Sequence, residues 1–482
     1  MPLPTIPSGN VASATAGGFE VANSCRFNDG DSAKMSKTLG TATDNKKWTV
    51  NVWVKLGQLG TNRAIWTSRT GTSGAYVNCI FNTADDLNIY MTDKDGNNGA
   101  DYITNRKFRD VGAWYCLTFA MDSTLGTAGD RLRVYVNGVE ETSFSTETHP
   151  AQNQIYPANY SGYTFVVGSR TDNSEYFDGY QAEFCMIDGQ QLTPTSFGEF
   201  DEDSPTIFKP IDVSGLTFGT NGFYLDFEDS SNLGNDQNGG TDLTEANLAA
   251  ADQATDTPTN NFCVMNPLDN YYASSTFSEG NCQVQTGSSN YTINTATMGL
   301  TAGRWYWECK IVADGGSGAE FQHGITDIPS TATTVQLGDT VASYSYRTDN
   351  GNKENNNSAS SYGNTAAVND IIGIALDLDN LKFYASKNGT WQNSGDPTSG
   401  ATGTGAAFTV TTPASTAGGQ YFPANGDGTG SAQLTYGFNF GGCPSFAMSS
   451  GNADGNGYGN FEYAPPSGYL AICTKNLGSD GG

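Results

Sequence analysis

Hydrophobic and polar residues alternate with a period of two in many short runs along this chain. In residues 47–55 the apolar positions of one parity are Trp48, Val50, Val52 and Val54. Such alternation predicts a strand with one face against a core and the other face more polar. Similar short runs follow at residues 114–121, 132–136, 163–167 and 180–187. Because turn residues separate these runs, the first half is predicted to form a β-sandwich.

The second half repeats the pattern with a stronger aromatic signal. Residues 303–311 place on one face Trp305, Trp307, Cys309 and Ile311. In residues 370–391 the alternating apolar positions are Ile372, Ile374, Leu376 and Leu378. Asn388-Gly389 then marks a tight hairpin, as Asn137-Gly138 does in the first half. These runs predict core strands of a second sandwich.

Composition agrees with an all-β chain. The 482 residues include 59 glycines, and aromatic residues make up 12% of the chain, which a disordered protein would not contain. We therefore predict two β-sandwich, jelly-roll-like domains joined by an acidic connector. The segments predicted are a docking segment at 1–18, a first sandwich at 19–228, the connector at 229–261, a second sandwich at 262–476 and a tail at 477–482.

Charge distinguishes the connector from its flanks. The net charge of −27 excludes a general nucleic-acid binder, since no basic stripe faces phosphate. Residues 211–262 carry nine acidic side chains and no basic one. The connector also lacks apolar periodicity, so we expect it to be ordered only if it packs along a domain. Because its acids also have no basic partner within the segment, the two modules should be separable, and limited proteolysis should cut between about Asp229 and Asn261.

Nine scattered cysteines without a Cys-x-x-Cys pair favour buried free thiols and folding in a reducing cytoplasm. A disulfide between Cys263 and Cys282 is the alternative. Residues 1–7 lack the basic and long apolar regions of a signal peptide, so export by the usual route is not expected. No stretch has the length of a membrane span, and membrane insertion is not expected either.

Candidate catalytic groups are few. The two histidines, His149 and His323, have no nucleophile close in sequence, which disfavours a Ser-His-Asp arrangement. A glycosidase pair needs two carboxyl groups about 5 Å apart on a rigid strand. The acidic run at 199–203 follows a short helix predicted from Thr193, and Asp226 with Glu228 lies where a strand ends. A solvated acidic surface is the favoured interpretation, and no catalytic residue is assigned.

Calcium is the one cofactor that the sequence suggests. Residues 92–101 place oxygen-bearing side chains at alternate positions around glycines, and the candidate ligands are Asp93, Asp95 and Asp101. The run lacks the distal glutamate of an EF-hand. Asp95-Gly96 also fits a hairpin turn without an ion, and this alternative is the favoured one.

Three aromatic residues are candidates for stacking against sugars, namely Trp53, Tyr135 and Tyr306. Each lies on the strand face opposite the predicted core. Packing against another layer of the protein is the favoured alternative, because single aromatic residues on such faces are common.

The first half resembles concanavalin A-like lectins of the laminin-G/pentraxin type. The resemblance covers about 19–228 and rests on residues 24–28, 47–55, 113–115, 133–138 and 176–180, with 222–227 as the closing strand. It implies a lectin-type sandwich, and relatives with this fold often use calcium to hold sugars. The strands around 303–311 and 370–391 resemble a SPRY (B30.2-like) sandwich. Such sandwiches bind through their loops and seldom catalyse reactions.

The pairing of these two domains resembles a group of virion proteins from marine tailed phages. The connector at 256–269 and the ending at 465–476 also carry this resemblance. It implies a non-enzymatic fibre, appendage or decoration protein that binds a host-surface glycan or neighbouring virion proteins. Homo-oligomers, including trimers, assembled in the host cytoplasm and carried on the virion are expected. The alternatives are decoration without a ligand, and a polysaccharide-degrading enzyme of concanavalin-like fold.

Overall fold

The computed structural model describes residues 18–71, 74–270, 274–287, 291–316, 318–328, 334–429 and 432–480. The chain divides into two compact units between Thr259 and Asn260. The predicted docking segment at 1–18 lies outside the described residues except for Gly18, as do the last two residues of the predicted tail. In the described part of the chain, no helix is long and apolar enough to cross a membrane.

The first unit is built from antiparallel strands. They are β1 (Ser24–Phe27), β2 (Lys34–Thr38), β3 (Lys47–Leu56), β4 (Arg63–Arg69), β5 (Tyr76–Phe81), β6 (Asp86–Met91), β7 (Ala100–Lys107), β8 (Trp114–Asp122), β9 (Leu132–Val136), β10 (Val139–Glu140), β11 (Phe144–Thr148), β12 (Thr164–Val167), β13 (Gly179–Asp188), β14 (Gly198–Phe200), β15 (Phe208–Pro210), β16 (Phe223–Leu225), β17 (Thr244–Ala246) and β18 (Gln253–Ala254). Short 3-10 helices occupy Asp29–Asp31, Ala128–Asp130, Pro157–Asn159, Pro194–Ser196 and Ala250–Asp252.

Two eight-stranded sheets face each other in this unit. The first has the order β10-β9-β8-β3-β13-β1-β18, with β16 also paired to β13, and the second has the order β11-β7-β6-β5-β4-β12-β2-β17. The alternation predicted for β3 is confirmed, because Trp48, Val50, Val52 and Val54 all enter the core between the sheets. Trp66 stacks on Phe165 in this core with ring centroids 5.2 Å apart.

The predicted connector is packed into the first unit. Strand β17 pairs with β2, and β18 pairs with β1, so residues 244–254 extend both sheets. The acidic residues of this segment find basic partners in the sandwich. Asp236 lies 3.5 Å from Lys37, and Asp252 lies 3.2 Å from Arg26. The segment is therefore part of the domain, which corrects the expectation of a separating linker.

One of these ion pairs is buried. Lys55 Nζ lies 2.6 Å from Asp256 Oδ2, and both side chains are 1% exposed. Trp114 Nε1 donates to the other carboxylate oxygen at 3.0 Å. Because Lys55 and Trp114 face each other across β3 and β8, Asp256 fixes the connector onto the outer face of the first sheet.

The second unit contains fifteen strands among its described residues. They are β19 (Thr276–Ser278), β20 (Gln283–Gln285), β21 (Thr292–Thr295), β22 (Arg304–Ala313), β23 (Phe321–Thr326), β24 (Ser343–Arg347), β25 (Asn352–Asn355), β26 (Ser358–Ser361), β27 (Ile371–Asp377), β28 (Lys382–Lys387), β29 (Thr390–Trp391), β30 (Phe408–Thr409), β31 (Phe422–Asp427), β32 (Thr435–Asn439) and β33 (Leu470–Ala471). The 3-10 helices span Gln392–Ser394, Pro397–Thr402 and Pro413–Ser415, and the α-helix α1 spans Thr474–Asp480.

These strands form a second sandwich. One sheet has the order β19-β20-β32-β22-β27-β28-β29, with β30 beside β28 and β33 beside β22, and the other has the order β21-β31-β23-β24-β25-β26. The predicted core face of β22 is confirmed, because its four inward residues are buried together. The predicted turn at Asn388-Gly389 is also confirmed, since both residues have positive φ and Lys387 pairs with Thr390. The all-β, two-sandwich prediction is confirmed.

All nine cysteines are buried and none is joined in a disulfide, as the sequence favoured. Burial raises the pKa of several of these thiols, to about 12 for Cys473. Cys263 and Cys282 do not form the disulfide that the sequence left open. Cys25 and Cys79 in the first core, and Cys263 and Cys309 in the second, serve as small hydrophobic groups.

Candidate functional site

The predicted calcium loop lies between β6 and β7. Asp93 is buried at its base, and its Oδ1 accepts hydrogen bonds from the backbone N–H groups of Asp95 at 3.1 Å and Asn97 at 2.9 Å. The Asn98 amide donates to the other oxygen, Oδ2. These donors hold the pKa of the Asp93 carboxyl below its usual value despite the opposing effect of burial. Asp93 thus closes a hydrogen-bonded turn.

The other two candidate ligands have different partners. The Asp95 carboxylate pairs with Lys94 at 2.7 Å, and Asp101, within β7, accepts from Asn88 Nδ2 at 2.8 Å. No group of three or more His, Cys, Asp or Glu side chains among the described residues is arranged to hold a metal ion. The three candidate ligands therefore have separate partners, and the structure shows a hydrogen-bonded turn at Asp93.

Of the acidic groups considered for glycoside hydrolysis, Glu199 lies in strand β14 and not in the expected loop, whereas Asp201 and Asp226 each accept hydrogen bonds from the turn that follows a strand. Asp201 is buried, and its Oδ1 accepts from the N–H groups of Asp203 and Ser204 at 3.0 and 2.9 Å. Asp226 follows strand β16 and accepts from the backbone N–H of Glu228 at 3.1 Å. Burial raises the pKa of the Asp226 carboxyl. None of these groups forms an exposed carboxylate pair on one strand face.

Glu183 has the most strongly shifted pKa among the carboxyl groups of the first unit, and no pattern in the sequence pointed to this residue. It lies at a β-bulge in β13, where its φ of 49° falls in the left-handed region. The Tyr224 hydroxyl donates to Glu183 Oε2 at 2.7 Å. Burial, with Asp226 as the largest of the neighbouring charges, raises the pKa of Glu183 to about 8. Glu183 is therefore protonated at neutral pH, beneath a layer that includes Tyr224.

The two histidines occupy different environments. His323 is buried in the second core, where Phe321 stacks on it, and burial lowers its pKa to about 3. His149 Nδ1 lies 2.7 Å from the Tyr102 hydroxyl at the edge of the first sandwich. Neither histidine contacts a serine or cysteine nucleophile in the described structure.

The three aromatic residues proposed for sugar stacking are buried. Trp53 is covered by Phe208, whose ring stacks on it at 6.1 Å, and Tyr135 is 7% exposed. Tyr306 donates to the buried Glu308 carboxylate at 3.1 Å. The packing alternative holds for all three residues, because further layers of the chain cover the outer faces of their strands.

Two half-buried tyrosines lie instead on the outer face of the second sheet of the first unit. Val77, Cys79 and Phe81 of β5 enter the core, so the opposite parity faces outward. Tyr76 and Tyr90 meet on this face with ring centroids 5.7 Å apart.

The neighbouring strands add polar groups to both tyrosines. Tyr90 has Asn78 on one side and Asp101 on the other, and Arg69 lies opposite Tyr76. We call Arg69, Tyr76, Asn78, Tyr90 and Asp101 the tyrosine face.

The segment after β12 borders this face with charged groups. Arg170 lies 3.1 Å from Glu175 and 3.3 Å from Asp172, and Asp172 also lies 3.6 Å from Arg69. The Arg69 guanidinium lies over the Tyr76 ring at 5.8 Å. Burial raises the pKa of the Tyr90 hydroxyl, so it stays neutral and able to donate. The region combines flat rings with hydrogen-bonding groups of both polarities.

Such a surface suits a polyhydroxylated ligand. Aromatic rings supply apolar contact area, while arginine, amide and carboxylate groups donate to and accept from hydroxyl groups. The signal was present in the alternation of residues 76–81, where Tyr76 and Asn78 share the parity opposite the core. Periodicity alone did not show whether another layer covers this face.

Comparisons with known families agree with the two sandwiches. Residues 28–195 match the family model described as the Concanavalin A-like lectin/glucanases superfamily, and residues 304–423 match the SPRY domain model. The chain thus carries a concanavalin A-like domain and a SPRY domain. Both domain resemblances drawn from the sequence are confirmed. No curated protein matches the sequence.

Several solved structures are similar to parts of the chain. The SPRY domain of human HERC1 is 16% identical to this chain. The match covers 38% of this chain and 99% of the HERC1 domain, with a TM-score of 0.30. A heptameric SAP-like pentraxin from Limulus polyphemus is also 16% identical. The match covers 36% of this chain and 80% of the pentraxin chain, with a TM-score of 0.27. Domain 4 of an extracellular arabinanase from Geobacillus stearothermophilus, solved in complex with arabinotriose, is 20% identical. The match covers 33% of this chain and 66% of the arabinanase domain, with a TM-score of 0.24.

Proposed function

We propose that this protein is a non-enzymatic component of a tailed-phage virion, and that it binds a host-surface glycan. The observation that carries the glycan proposal is the tyrosine face, where Tyr76 and Tyr90 lie on a sheet surface beside arginine, amide and carboxylate groups. The match of this unit to a lectin and glucanase superfamily supports the same ligand class.

The ligand we propose is a neutral or mixed-charge glycan. Arg69 and Arg170 are each close to a carboxylate, so the rim offers no unpaired positive cluster for a strongly anionic chain. A pyranose ring placed over Tyr90 would lie within reach of the Asp101 carboxylate, its neighbour across the sheet, while the Asn78 amide is buried and hydrogen-bonds Tyr90. Stacking and hydrogen bonding then act on the same sugar.

The absence of catalysis is also part of the proposal. A retaining glycosidase needs two carboxyl groups about 5 Å apart that reach the substrate. Glu183 has the raised pKa of a general acid, yet it is 4% exposed and bonded to Tyr224. Asp226 is buried as well. A polysaccharide has no route to this pair in the folded unit, which supports binding over hydrolysis.

Two considerations support the proposed placement on a virion, namely the resemblance to marine phage proteins and the physics of weak sites. Many copies on one particle would raise the avidity of a weak glycan site by about 10²–10⁴. We propose that other virion proteins are the fixed partners, with residues 1–18 as the docking segment. Mass spectrometry of purified particles should then find this chain at stoichiometric abundance. Its restriction to infected-cell lysate would overturn the virion assignment.

One set of assays distinguishes the proposed function from the two alternatives, which are decoration without a ligand and a polysaccharide-degrading enzyme. Glycan-array binding by the purified chain supports the proposed function, whereas a blank array together with abundance in the particle supports decoration without a ligand. Release of reducing sugar from a bound polysaccharide would support the enzyme. We expect no release of reducing sugar by wild type or by the Glu183→Gln variant.

A further inference from the structure

The outermost strand of the second unit has an open edge. Strand β26 ends its sheet, and all four of its residues are exposed. No described strand pairs with its free side. The turn before it, Asn356-Asn357, has positive φ at both residues, which is the geometry of a tight two-residue hairpin. The edge is thus held in a regular extended conformation by β25.

Apart from its length of only four residues, this edge lacks the features that normally prevent pairing between edges. Natural edge strands carry charges, prolines or bulges, and Ser358-Ala359-Ser360-Ser361 contains none of them. By contrast, β11 and β17, which end a sheet of the first unit, carry Glu147 and Glu245. In a chain with a net charge of −27, an uncharged edge is where two copies can approach at the lowest electrostatic cost.

Charged residues of the neighbouring strand are directed into the unit itself. Lys353 Nζ donates to the Ala407 carbonyl, and Glu354 lies 3.6 Å from Arg347. Neither charge is therefore directed at an incoming strand.

The hydrogen-bonding direction of each residue on β26 follows from its pairing with β25. Tyr362 N–H donates to Gly351 O at 3.1 Å, so residue 362 faces β25. Backbone groups point alternately to the two sides of a strand, which leaves Ala359 and Ser361 facing outward. In antiparallel self-pairing, outward residues must lie opposite outward residues. The register that pairs Ala359 with Ser361 of the second copy forms four hydrogen bonds and places Ser360 opposite Ser360.

We propose that two copies of this chain pair through β26 in antiparallel register, with the two-fold axis at Ser360. The second copy is the occupant that the edge favours, because the strand is self-complementary, uncharged and composed of small side chains. The contact is short, so it is weak alone and gains from repetition. An isologous contact closes a dimer, so the trimer expected from the sequence would need a separate surface.

Cysteine substitution tests the register directly. At a non-hydrogen-bonded antiparallel pair the Cα atoms are about 4.5 Å apart, within the range that a disulfide spans. All nine native cysteines are buried, so Ser360→Cys adds an exposed thiol. The full chain carrying Ser360→Cys should form a covalent dimer under mild oxidation. Ser358→Cys is equally exposed but lies far from its symmetry mate, so it should remain monomeric.

A second variant separates pairing from random collision. Ala359→Pro removes an outward N–H and leaves the bonds to β25 intact, so Ala359→Pro/Ser360→Cys should lose at least nine-tenths of the dimer yield, roughly the loss expected from a tenfold weaker contact. Higher salt should raise the yield for Ser360→Cys by screening the repulsion between acidic copies. Equal cross-linking of Ser358→Cys and Ser360→Cys, or no dimer from either, would overturn the proposal. Cross-linking of Ser360→Cys only to a different virion protein would overturn it as well.

Discussion

At the scale of single residues, Glu183 combines two unfavourable features. Its backbone adopts a left-handed conformation that costs an ordinary residue about 1–3 kcal/mol, and its carboxyl group is removed from water. The fold tolerates the second cost by keeping the group protonated and bonded to Tyr224. This residue therefore links stability to pH more directly than the solvated acids around it.

The first prediction concerns that link. The pKa of Glu183 is raised to about 8 in the folded state, so its contribution to stability is complete below its unfolded value and is lost as the pH rises through about 8. Relative to Glu183→Gln, wild type should lose more than about 1.4 kcal/mol of unfolding free energy between about pH 5 and pH 8. Chemical denaturation at several pH values measures this difference. The exposed Glu199→Gln is the control, and a parallel pH profile for wild type and Glu183→Gln would contradict the assignment.

The buried ion pair gives a second prediction. Asp256→Ala leaves the Lys55 ammonium buried without this carboxylate, and such a loss costs about 3–5 kcal/mol. Removal of the exposed Glu228 side chain by Glu228→Ala should change stability by less than about 0.5 kcal/mol. Urea unfolding of both variants gives the comparison. Equal stabilities would show that Asp256 does not hold the connector in place.

At the scale of elements, local sequence patterns correctly predicted the strands and the turn that depend on interactions between neighbouring residues. The alternation in β3 and β22 and the turn at Asn388-Gly389 each depend on neighbouring residues, and each is found in the structure. The outer faces were harder to predict. Trp53 and Tyr90 both occupy the parity opposite the core, yet Phe208 covers Trp53, whereas Tyr90 stays half-buried among the residues that the structure describes.

The connector shows the same limit. Its acids have no basic partner within the segment, so the sequence suggested a loose linker. Their partners are Arg26, Lys37 and Lys55, roughly two hundred residues earlier in the chain. Pairing at that separation leaves no local pattern, because it depends on how the two sheets close.

The third prediction follows from the packed connector. Limited proteolysis of the native chain should spare residues 244–256, because their backbone pairs with β1 and β2 and their acids form ion pairs. The Asp256→Ala variant should expose this segment and raise its cleavage rate by at least tenfold. Mass spectrometry of the fragments locates the cuts. Rapid cleavage of wild type within 244–256 would support the linker expected from the sequence.

The fourth prediction concerns the loop at residues 92–101. Each Asp93 oxygen already accepts hydrogen bonds from the loop, so calcium should not bind there. The melting temperature should be the same with calcium and with chelator, whereas Asp93→Ala should lower stability by about 1–2 kcal/mol through loss of the turn bonds. A calcium-dependent rise in melting temperature that Asp95→Ala abolishes would restore the metal site.

At the scale of the whole molecule, one sandwich carries the proposed glycan-binding surface and the other carries the proposed pairing edge. The concanavalin A-like unit carries the tyrosine face, and the SPRY unit carries the open edge of β26. Each β-sandwich can hold its own feature without a moving part. Glycan binding in this account is a property of one sheet face and does not require a metal.

The most direct test of the account is therefore a binding titration with the strongest glycan from the array. The full chain should bind it, and Tyr76→Ala and Tyr90→Ala should each weaken binding by at least about tenfold, or 1.4 kcal/mol. Phe200→Ala removes an exposed aromatic side chain elsewhere on the same unit and should leave the affinity unchanged. Unfolding curves establish that the variants fold. Wild-type affinity in both tyrosine variants would contradict the account.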